Sequence, residues 1–254
     1  YQGNIWVISS TGGKTTPLTS NDEYDDNPVW SPDGEWIAFS SARNGNNEIY
    51  VVPADGGTPK RITYHSGNDV PSDWSPDGSK ILFSGSRDSR WASVFTVDVT
   101  TGKFVSHFSD LMSIGDPKFS PDGQKVLYRR FGFPWNRARY EGSNAAQMWV
   151  YDLNAKKRSN LRDTSLQHLW SNWTAAGIHT VTMTTKVPSS SYVNKPIPKV
   201  KYTVGGTPNI YQIDPSGKAN PVTKFEGDGV RFLTVAKKKT VVAFERDGEV
   251  YVST

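Results

Sequence analysis

The sequence predicts an all-β fold: a β-propeller of six blades, each a four-stranded antiparallel sheet. A Ser-Pro-Asp-Gly turn occurs three times about 45 residues apart, at 31–34, 75–78 and 120–123. An apolar run follows each turn and ends in an aromatic residue five positions after the glycine. Six further segments with a central aromatic residue follow in step with these turns, at Trp6, Tyr50, Phe95, Trp149, Tyr211 and Tyr251. A repeat of this length and content is typical of a propeller blade.

The Ser-Pro-Asp-Gly turn predicts a hairpin between the first two strands of each repeat, here called a and b. Proline presets φ at the first turn position, Asp tolerates the second, and glycine accepts the left-handed conformation that closes the loop. The segment with the central aromatic residue is then strand c. A polar fourth strand, d, completes the repeat. We expect eleven aromatic residues of strands a, b and c to be mostly buried between blades: Trp30, Trp74, Phe119, Phe39, Phe83, Tyr128, Trp6, Tyr50, Phe95, Trp149 and Tyr211.

The repeats divide one domain into four complete blades and two incomplete ones. We expect strands c and d of the first blade in 1–19, complete blades in 27–63, 72–108, 117–162 and 169–223, and strands a to c of the last blade in 230–254. The alternative is a five-bladed ring closed by joining the N-terminal c and d strands to the C-terminal a and b strands. In that ring the strand c segment at 249–253 would belong to no blade. Because the chain starts inside a blade, we expect it to be a fragment of a longer polypeptide.

Two insertions lengthen the connection between strands b and c. The spacing from the b-strand aromatic to the c-strand aromatic grows in the fourth and fifth repeats, which places the added residues at 131–146 and 186–208. In a four-stranded meander the b–c and d–a loops emerge on one face of the disc, so we expect both insertions on that face. We also expect an acidic inner rim there, with Asp22 to Asp26, and a basic, aromatic outer rim.

Residues of the b–c loops are the candidates for binding a protein or a peptide. Arginine and aromatic residues are enriched in contact surfaces, and long loops in compact folds are often functional. The alternative is that the loops pack on their own domain. The candidate binding residues are Arg43, Arg87, Arg130, Trp135, Arg137, Arg139, Tyr140, Lys195 and Lys199.

The composition argues against several other kinds of site. The chain has no cysteine, which excludes disulfides and a thiol nucleophile. No Gly-x-Ser-x-Gly motif occurs, and the acidic cluster lacks the spacing of a calcium loop, so we expect no catalytic residue, metal or cofactor. The net charge of +4 without a run of like charges disfavours nucleic acid. No apolar stretch approaches the roughly 20 residues that membrane insertion needs.

Longer stretches resemble the N-terminal six-bladed propeller of tricorn-like serine peptidases. The blade repeat itself is shared with TolB-type propellers and with propellers of prolyl-oligopeptidase-like enzymes. The stretches that resemble the tricorn group lie at 59–69, 139–153 and 230–251, and the last two are the more specific. The resemblance covers essentially the whole chain.

The resemblance implies a non-catalytic propeller within a serine peptidase, where it controls peptide access or mediates assembly. None of the catalytic part of that family matches this sequence, so the chain itself is expected to be inactive. The implied partners are other domains of the same polypeptide, peptides or proteins, with a homo-oligomer formed through the full-length protein. The alternative is a non-enzymatic TolB-like periplasmic scaffold for protein–protein interactions. Either reading places the protein in a bacterium, in the periplasm or cell envelope.

Overall fold

A computed structural model describes residues 3–87, 92–111, 113–131, 145–161, 167–182, 207–214, 218–237 and 241–253. These residues form 21 β-strands and no helix. Accordingly, no helix in these ranges could cross a membrane. The prediction of an all-β protein is confirmed.

Four sheets have four strands in chain order, and a fifth sheet has three. Blade I contains β3 (Asp25–Trp30), β4 (Trp36–Ser41), β5 (Glu48–Pro53) and β6 (Lys60–Arg61). Blade II contains β7 (Asp69–Trp74), β8 (Lys80–Gly85), β9 (Ser93–Asp98) and β10 (Phe104–Ser109). Blade III contains β11 (Ile114–Phe119), β12 (Lys125–Arg130), β13 (Gln147–Asp152) and β14 (Lys157–Asn160). Blade IV contains β15 (Leu169–Thr174), β16 (Gly177–Thr182), β17 (Asn209–Ile213) and β18 (Ala219–Pro221), and blade V contains β19 (Arg231–Val235), β20 (Val242–Arg246) and β21 (Glu249–Ser253).

The predicted count of six blades is corrected to five blades and one small sheet. β1 (Trp6–Val7) and β2 (Thr16–Pro17) pair with each other and occupy the positions predicted for strands c and d of the first repeat. Ile5 and Leu18 pack this sheet against the core of blade I. β21 pairs with β20, so the five-bladed ring formed by joining the two ends of the chain is not observed either.

The core lies between successive blades, where the aromatic side chains of the repeat are buried. Burial is confirmed for Trp74, Phe119, Phe39, Phe83, Tyr128, Tyr50 and Phe95. Trp149 and Tyr211 are half-buried. The prediction is wrong for Trp30 and Trp6, whose side chains are 50% and 37% exposed.

The position of these two tryptophans at one end of the fan explains their exposure. Trp74 packs back onto the preceding blade, where its Nε1 donates to the Val29 carbonyl oxygen at 3.0 Å. Trp30 holds the same position in blade I, where the preceding sheet consists of β1 and β2 and contributes no strand a among the described residues. Trp6 lies in β1, within the same two-stranded sheet at this end of the fan.

The Ser-Pro-Asp-Gly turns have the predicted geometry. Gly34, Gly78 and Gly123 adopt φ angles of 82°, 73° and 70°, and each glycine N–H donates to the carbonyl of its serine. The structure adds one feature. Each serine Oγ donates to the Asp Oδ1 two residues later at 2.5 Å, which fixes the carboxylate over the turn.

Candidate functional site

Both insertions lie where the spacing places them, between strands b and c of adjacent blades. The first connects β12 to β13 in blade III, and the second connects β16 to β17 in blade IV. Six candidate binding residues fall on these connections, outside the residues that the structure describes: Trp135, Arg137, Arg139, Tyr140, Lys195 and Lys199. The described candidates are Arg43, Arg87 and Arg130.

Arg43 and Arg87 tie the b–c loop of their blade to the start of strand a. Arg43 Nη2 donates to both carboxylate oxygens of Asp25 at 3.0 Å. Arg87 contacts Asp69 in the same way, with Nε 3.1 Å from Oδ1 and Nη2 2.5 Å from Oδ2. Both Asp side chains are fully buried, so the guanidinium groups supply the charge that burial of a carboxylate requires.

The guanidinium groups also cover the aromatic ladder that strands b and c form. The Arg43 guanidinium carbon lies 4.6 Å from the centre of the Tyr50 ring, and that of Arg87 lies 5.0 Å from the Phe83 ring. Such contacts favour arginine over lysine, because the planar cation stacks on the ring while it still donates to the carboxylate. We call each set of arginine, acceptor and aromatic ring an arginine clamp.

Two further blades keep the arginine and change its acceptor. In blade III, Arg130 Nη2 donates to Asp110 at 3.2 Å, and its guanidinium lies over Trp149. In blade V, Arg246 donates to the carbonyl oxygens of Asp228 and Glu226 and lies over Phe225. In four blades, therefore, an arginine at or just beyond the end of strand b contacts the first residue of strand a or the segment that leads into it.

The clamps change the electrostatic picture drawn from the sequence. Within the predicted acidic rim of Asp22 to Asp26, Asp25 is buried and paired with Arg43, while Asp22 and Asp26 are exposed. Asp69 and Asp110 are likewise paired with arginines. One signal was available: Asp25–Arg43 and Asp69–Arg87 have the same separation of 18 residues. The binding role of Arg43, Arg87 and Arg130 stays a prediction, and each has a structural role beside it.

The a strands form the innermost layer of the fan. β3, β7, β11, β15 and β19 each contact the next one in order, as strands around a central channel do. Hydrogen bonds between blades reinforce this layer: Phe119 N–H donates to Asp73 Oδ2 at 2.8 Å, and Asn172 Nδ2 donates to the Leu233 carbonyl at 3.1 Å. Lys118 Nζ also donates to the Ser72 carbonyl.

One ion pair crosses the channel. Lys237, which follows strand a of blade V, places its Nζ 2.7 Å from Asp73 Oδ2 and 2.9 Å from the Trp74 carbonyl oxygen in blade II. Blades II and V are not neighbours in the fan, since blades III and IV lie between them. The bond lies at the ends of β7 and β19 from which the a–b turns emerge, so it joins the two a strands across the fan at that end.

The opposite end of the channel has an unusual backbone feature. Each a strand has a register shift against its b strand. In four of these strands, the residue at one equivalent position adopts a left-handed φ near 50°. This position lies four residues before the a–b turn, and the residues are Asn27, Asp116, Trp170 and Phe232. Blade II has Pro71 there, whose ring fixes φ at a negative value.

This conformation suits two of the four residues. Asn and Asp tolerate the left-handed region, whereas a bulky side chain in it costs about 1–3 kcal/mol. Trp170 and Phe232 nevertheless adopt it, and their rings contact each other with centroids 5.3 Å apart. The Phe232 side chain is 55% exposed. These two residues, called here the aromatic pair, lie near the face that carries the insertions.

The face with the a–b turns carries a cavity between blades II and III of about 350 Å³. It is lined by Asp77, Lys80, His107 and Asp122 among others. The His107 Nε2 lies 2.9 Å from the Thr96 hydroxyl, and burial, followed by the nearby Lys80, lowers the pKa of His107. His107 lies in strand d and His179 in strand b, as expected from the sequence.

Comparisons with known proteins agree with this architecture. The family model of the tricorn protease N-terminal β-propeller domain matches residues 1–254. The crystal structure of the tricorn protease superimposes with a TM-score of 0.71 over 98% of this chain, at 21% identity. A putative TolB from Agrobacterium tumefaciens superimposes with a TM-score of 0.65 over 90% of this chain and 76% of its own length, at 19% identity. At these identities the two superpositions show the fold.

A short segment of the sequence is similar to part of one curated protein. The uncharacterized peptidase YuxL of Bacillus subtilis (strain 168) is 39% identical over 46 residues, which is 18% of this chain and 7% of that protein. The chain likewise spans 23% of the tricorn protease. Taken with the match over its whole length, the blade architecture shows that this chain belongs to the family of tricorn protease N-terminal β-propeller domains.

Proposed function

We propose that the chain is the non-catalytic propeller of a tricorn-like serine peptidase and controls the access of peptides to it. The observation that carries this proposal is the ion pair of Lys237 and Asp73, which joins blades II and V across the fan. We propose that this pair obstructs one end of the central channel. Family membership supports the peptidase context. The proposal includes three properties of the protein that contains this chain. It is a serine peptidase, it is located in the bacterial periplasm or cell envelope, and it forms a homo-oligomer.

The position of the ion pair explains how it would control access. The Asp73 carboxylate is 5% exposed and also accepts from the Phe119 N–H, so it is fixed in place. The Lys237 side chain is 29% exposed and flexible, so it is the partner that moves. A polypeptide that passes this end of the channel must displace Lys237, whereas a dipeptide needs less room.

The test is peptide hydrolysis by the protein that contains this chain. We expect Lys237→Met to raise kcat/KM for long peptides relative to a chromogenic dipeptide. Lys103→Met, at an exposed lysine outside the channel, is the control. If Lys237→Met folds normally but the ratio of long to short substrates does not change, the access role is wrong. Turnover by the purified 254-residue chain alone would show that the chain is itself catalytic.

The insertions have the second role in this proposal, contact with sibling domains or a protein partner. Aromatic and arginine side chains on a long loop favour such contacts. Replacing Trp135 and Tyr140 with alanine should weaken association with the remaining domains while the melting temperature stays nearly unchanged. An unfolded double variant would show that the first insertion belongs to the core of its own domain.

A second candidate function is a non-enzymatic scaffold. It is favoured by the fit to the putative TolB, of which this chain covers 76%. In that case the protein that carries the chain would hydrolyse no peptide and would instead co-purify with a protein of the cell envelope. The hydrolysis assay above therefore separates the two candidates.

A further inference from the structure

We infer that the aromatic pair Trp170–Phe232 is a subsite for an apolar side chain of an extended peptide at the insertion-side mouth of the channel. This inference rests on the proposed function and adds to it the place and the side-chain preference. No part of it depends on the insertions themselves.

The first argument is the unfavourable local geometry. The same bulge position carries Asn27 in blade I and Asp116 in blade III, both suited to a left-handed backbone. Blades IV and V have instead the bulky aromatic residues Trp170 and Phe232 at φ angles of 49°. The bulge alone does not explain why two adjacent blades have a bulky aromatic residue at this position. Residues held in strained backbone conformations concentrate at ligand sites.

The second argument is that the pair is only partly used by the core. Trp170 packs against the buried cluster between blades IV and V, and its other side meets the Phe232 ring. Phe232 remains more than half exposed. The pair is thus a supported aromatic platform with one open ring, a surface that favours an aliphatic or aromatic group.

The third argument identifies the ligand as a polypeptide. β15 and β19 are terminal strands of their sheets, so among the described strands each is paired along one edge only. An unpaired strand edge offers N–H and C=O groups to an extended backbone, and adjacent side chains then select among the peptide's residues. An edge of this kind together with an aromatic platform suits a peptide better than a small apolar molecule.

The order of features along the channel is consistent with this assignment. The a strands start at the face of the b–c loops and end at the a–b turns, so the aromatic pair lies at the start of β15 and β19. Lys237 follows the end of β19 at the opposite face. A peptide that enters from the insertion side meets the aromatic pair first and the ion pair last.

The experiment compares labelled extended peptides that differ in one central residue, Phe, Leu, Ala or Asp, by fluorescence anisotropy on the 254-residue chain. We expect the Phe and Leu peptides to bind more tightly than the Ala and Asp peptides. Phe232→Asn and Trp170→Asn should weaken binding of the Phe peptide about tenfold or more. Tyr64→Asn, at an aromatic residue that is 71% exposed and lies after the outer strand of blade I, should leave binding unchanged.

The melting temperature distinguishes lost binding from lost folding. Because asparagine accepts the left-handed backbone, Phe232→Asn should melt at the same temperature as the parent or higher, so lost binding is not lost folding. Peptide binding that is equal in the parent and both Asn variants would overturn the subsite and leave the proposed function standing. If the parent bound none of the peptides, the subsite would be wrong, and the hydrolysis assay of Lys237→Met would still decide the proposed function.

Discussion

Lys237 and Asp73 are 164 residues apart in the chain, and their side chains meet at 2.7 Å across the channel. Lys237 occupies the position that Pro32 holds in the first turn, so it departs from the repeat. Asp73 occupies a position where the other blades have Val29, Lys118, Asn172 and Thr234. The ion pair therefore joins two residues that the repeat itself does not dictate.

The contact should contribute to stability as well as to access. Lys237→Met leaves the buried Asp73 carboxylate with fewer donors, so we expect a loss of about 1–3 kcal/mol in the free energy of unfolding. Asp73→Asn should lower the free energy of unfolding by less in the Lys237→Met protein than in the parent, because the ion pair is already absent there. Urea unfolding of the two single variants and the double variant measures this coupling. Strictly additive losses would contradict a direct interaction.

The Arg87 clamp should be essential to blade II. Arg87→Met leaves the buried Asp69 carboxylate without its cation, which costs about 3–5 kcal/mol when a buried pair is broken. Arg87→Lys, which keeps the charge but neither the two-point contact nor the ring stacking, should fall between the parent and Arg87→Met. Denaturant unfolding of the three proteins checks this order. A fully stable Arg87→Met protein would show that the clamp is dispensable.

The pH dependence of the Arg87→Met variant gives an independent check. Burial raises the pKa of the Asp69 carboxyl, although its bonds with Arg87 oppose this effect. Without Arg87 the pKa rises further, and protonation removes the uncompensated charge. The deficit of Arg87→Met relative to the parent should therefore shrink as the pH falls from 7.5 toward 5.

His107 and His179 should make the fold less stable in mild acid. Burial lowers the pKa of His107 and of His179, so the unfolded chain binds protons at a pH where the folded chain does not. Stability should be full above the ordinary histidine pKa of about 6.5 and should decline as the pH falls below it. Melting temperatures between pH 7.5 and 5 measure the decline, and His107→Asn with His179→Asn should flatten it. An unchanged slope in the double variant would assign the effect to other groups.

The Ser-Pro-Asp-Gly turn should lose its contribution only in strong acid. The Ser75 hydroxyl, then the Ser79 backbone N–H, hold the pKa of Asp77 at about 2, below its ordinary value. A lowered carboxyl pKa stabilises the fold above about pH 4, and this stabilisation disappears as the pH falls toward 2. Asp77→Asn should therefore melt below the parent at pH 6 and together with it near pH 2. A constant difference across this range would contradict the assignment.

Much of the architecture follows from local sequence. The turn at 31–34 fixes a hairpin because proline and glycine restrict φ wherever they occur, and the recurrence of that turn fixes the blade period. The spacing between strand aromatics likewise places both insertions between strands b and c. These properties depend on residues that are neighbours in the sequence, so they can be predicted without knowledge of the tertiary structure.

The blade count and the fate of Trp30 could not be predicted in this way. A tryptophan at that position is buried only if a preceding blade supplies its own strand a, and this depends on what lies beside it in space. The same holds for Arg43 and Arg87, which were predicted as ligand contacts from their loop positions. The structure shows that Asp25 and Asp69 pair with them.

The sequence by itself determined the all-β repeat, its turns and the two b–c loops that carry insertions, because these are set by short-range backbone preferences. Only the tertiary structure decided that Lys237 pairs with Asp73 and that Trp170 meets Phe232 in a left-handed bulge. The first contact joins blades II and V, which are not neighbours, and the second joins the adjacent blades IV and V. Both depend on how the blades are placed around the innermost strands, which short-range backbone preferences do not specify.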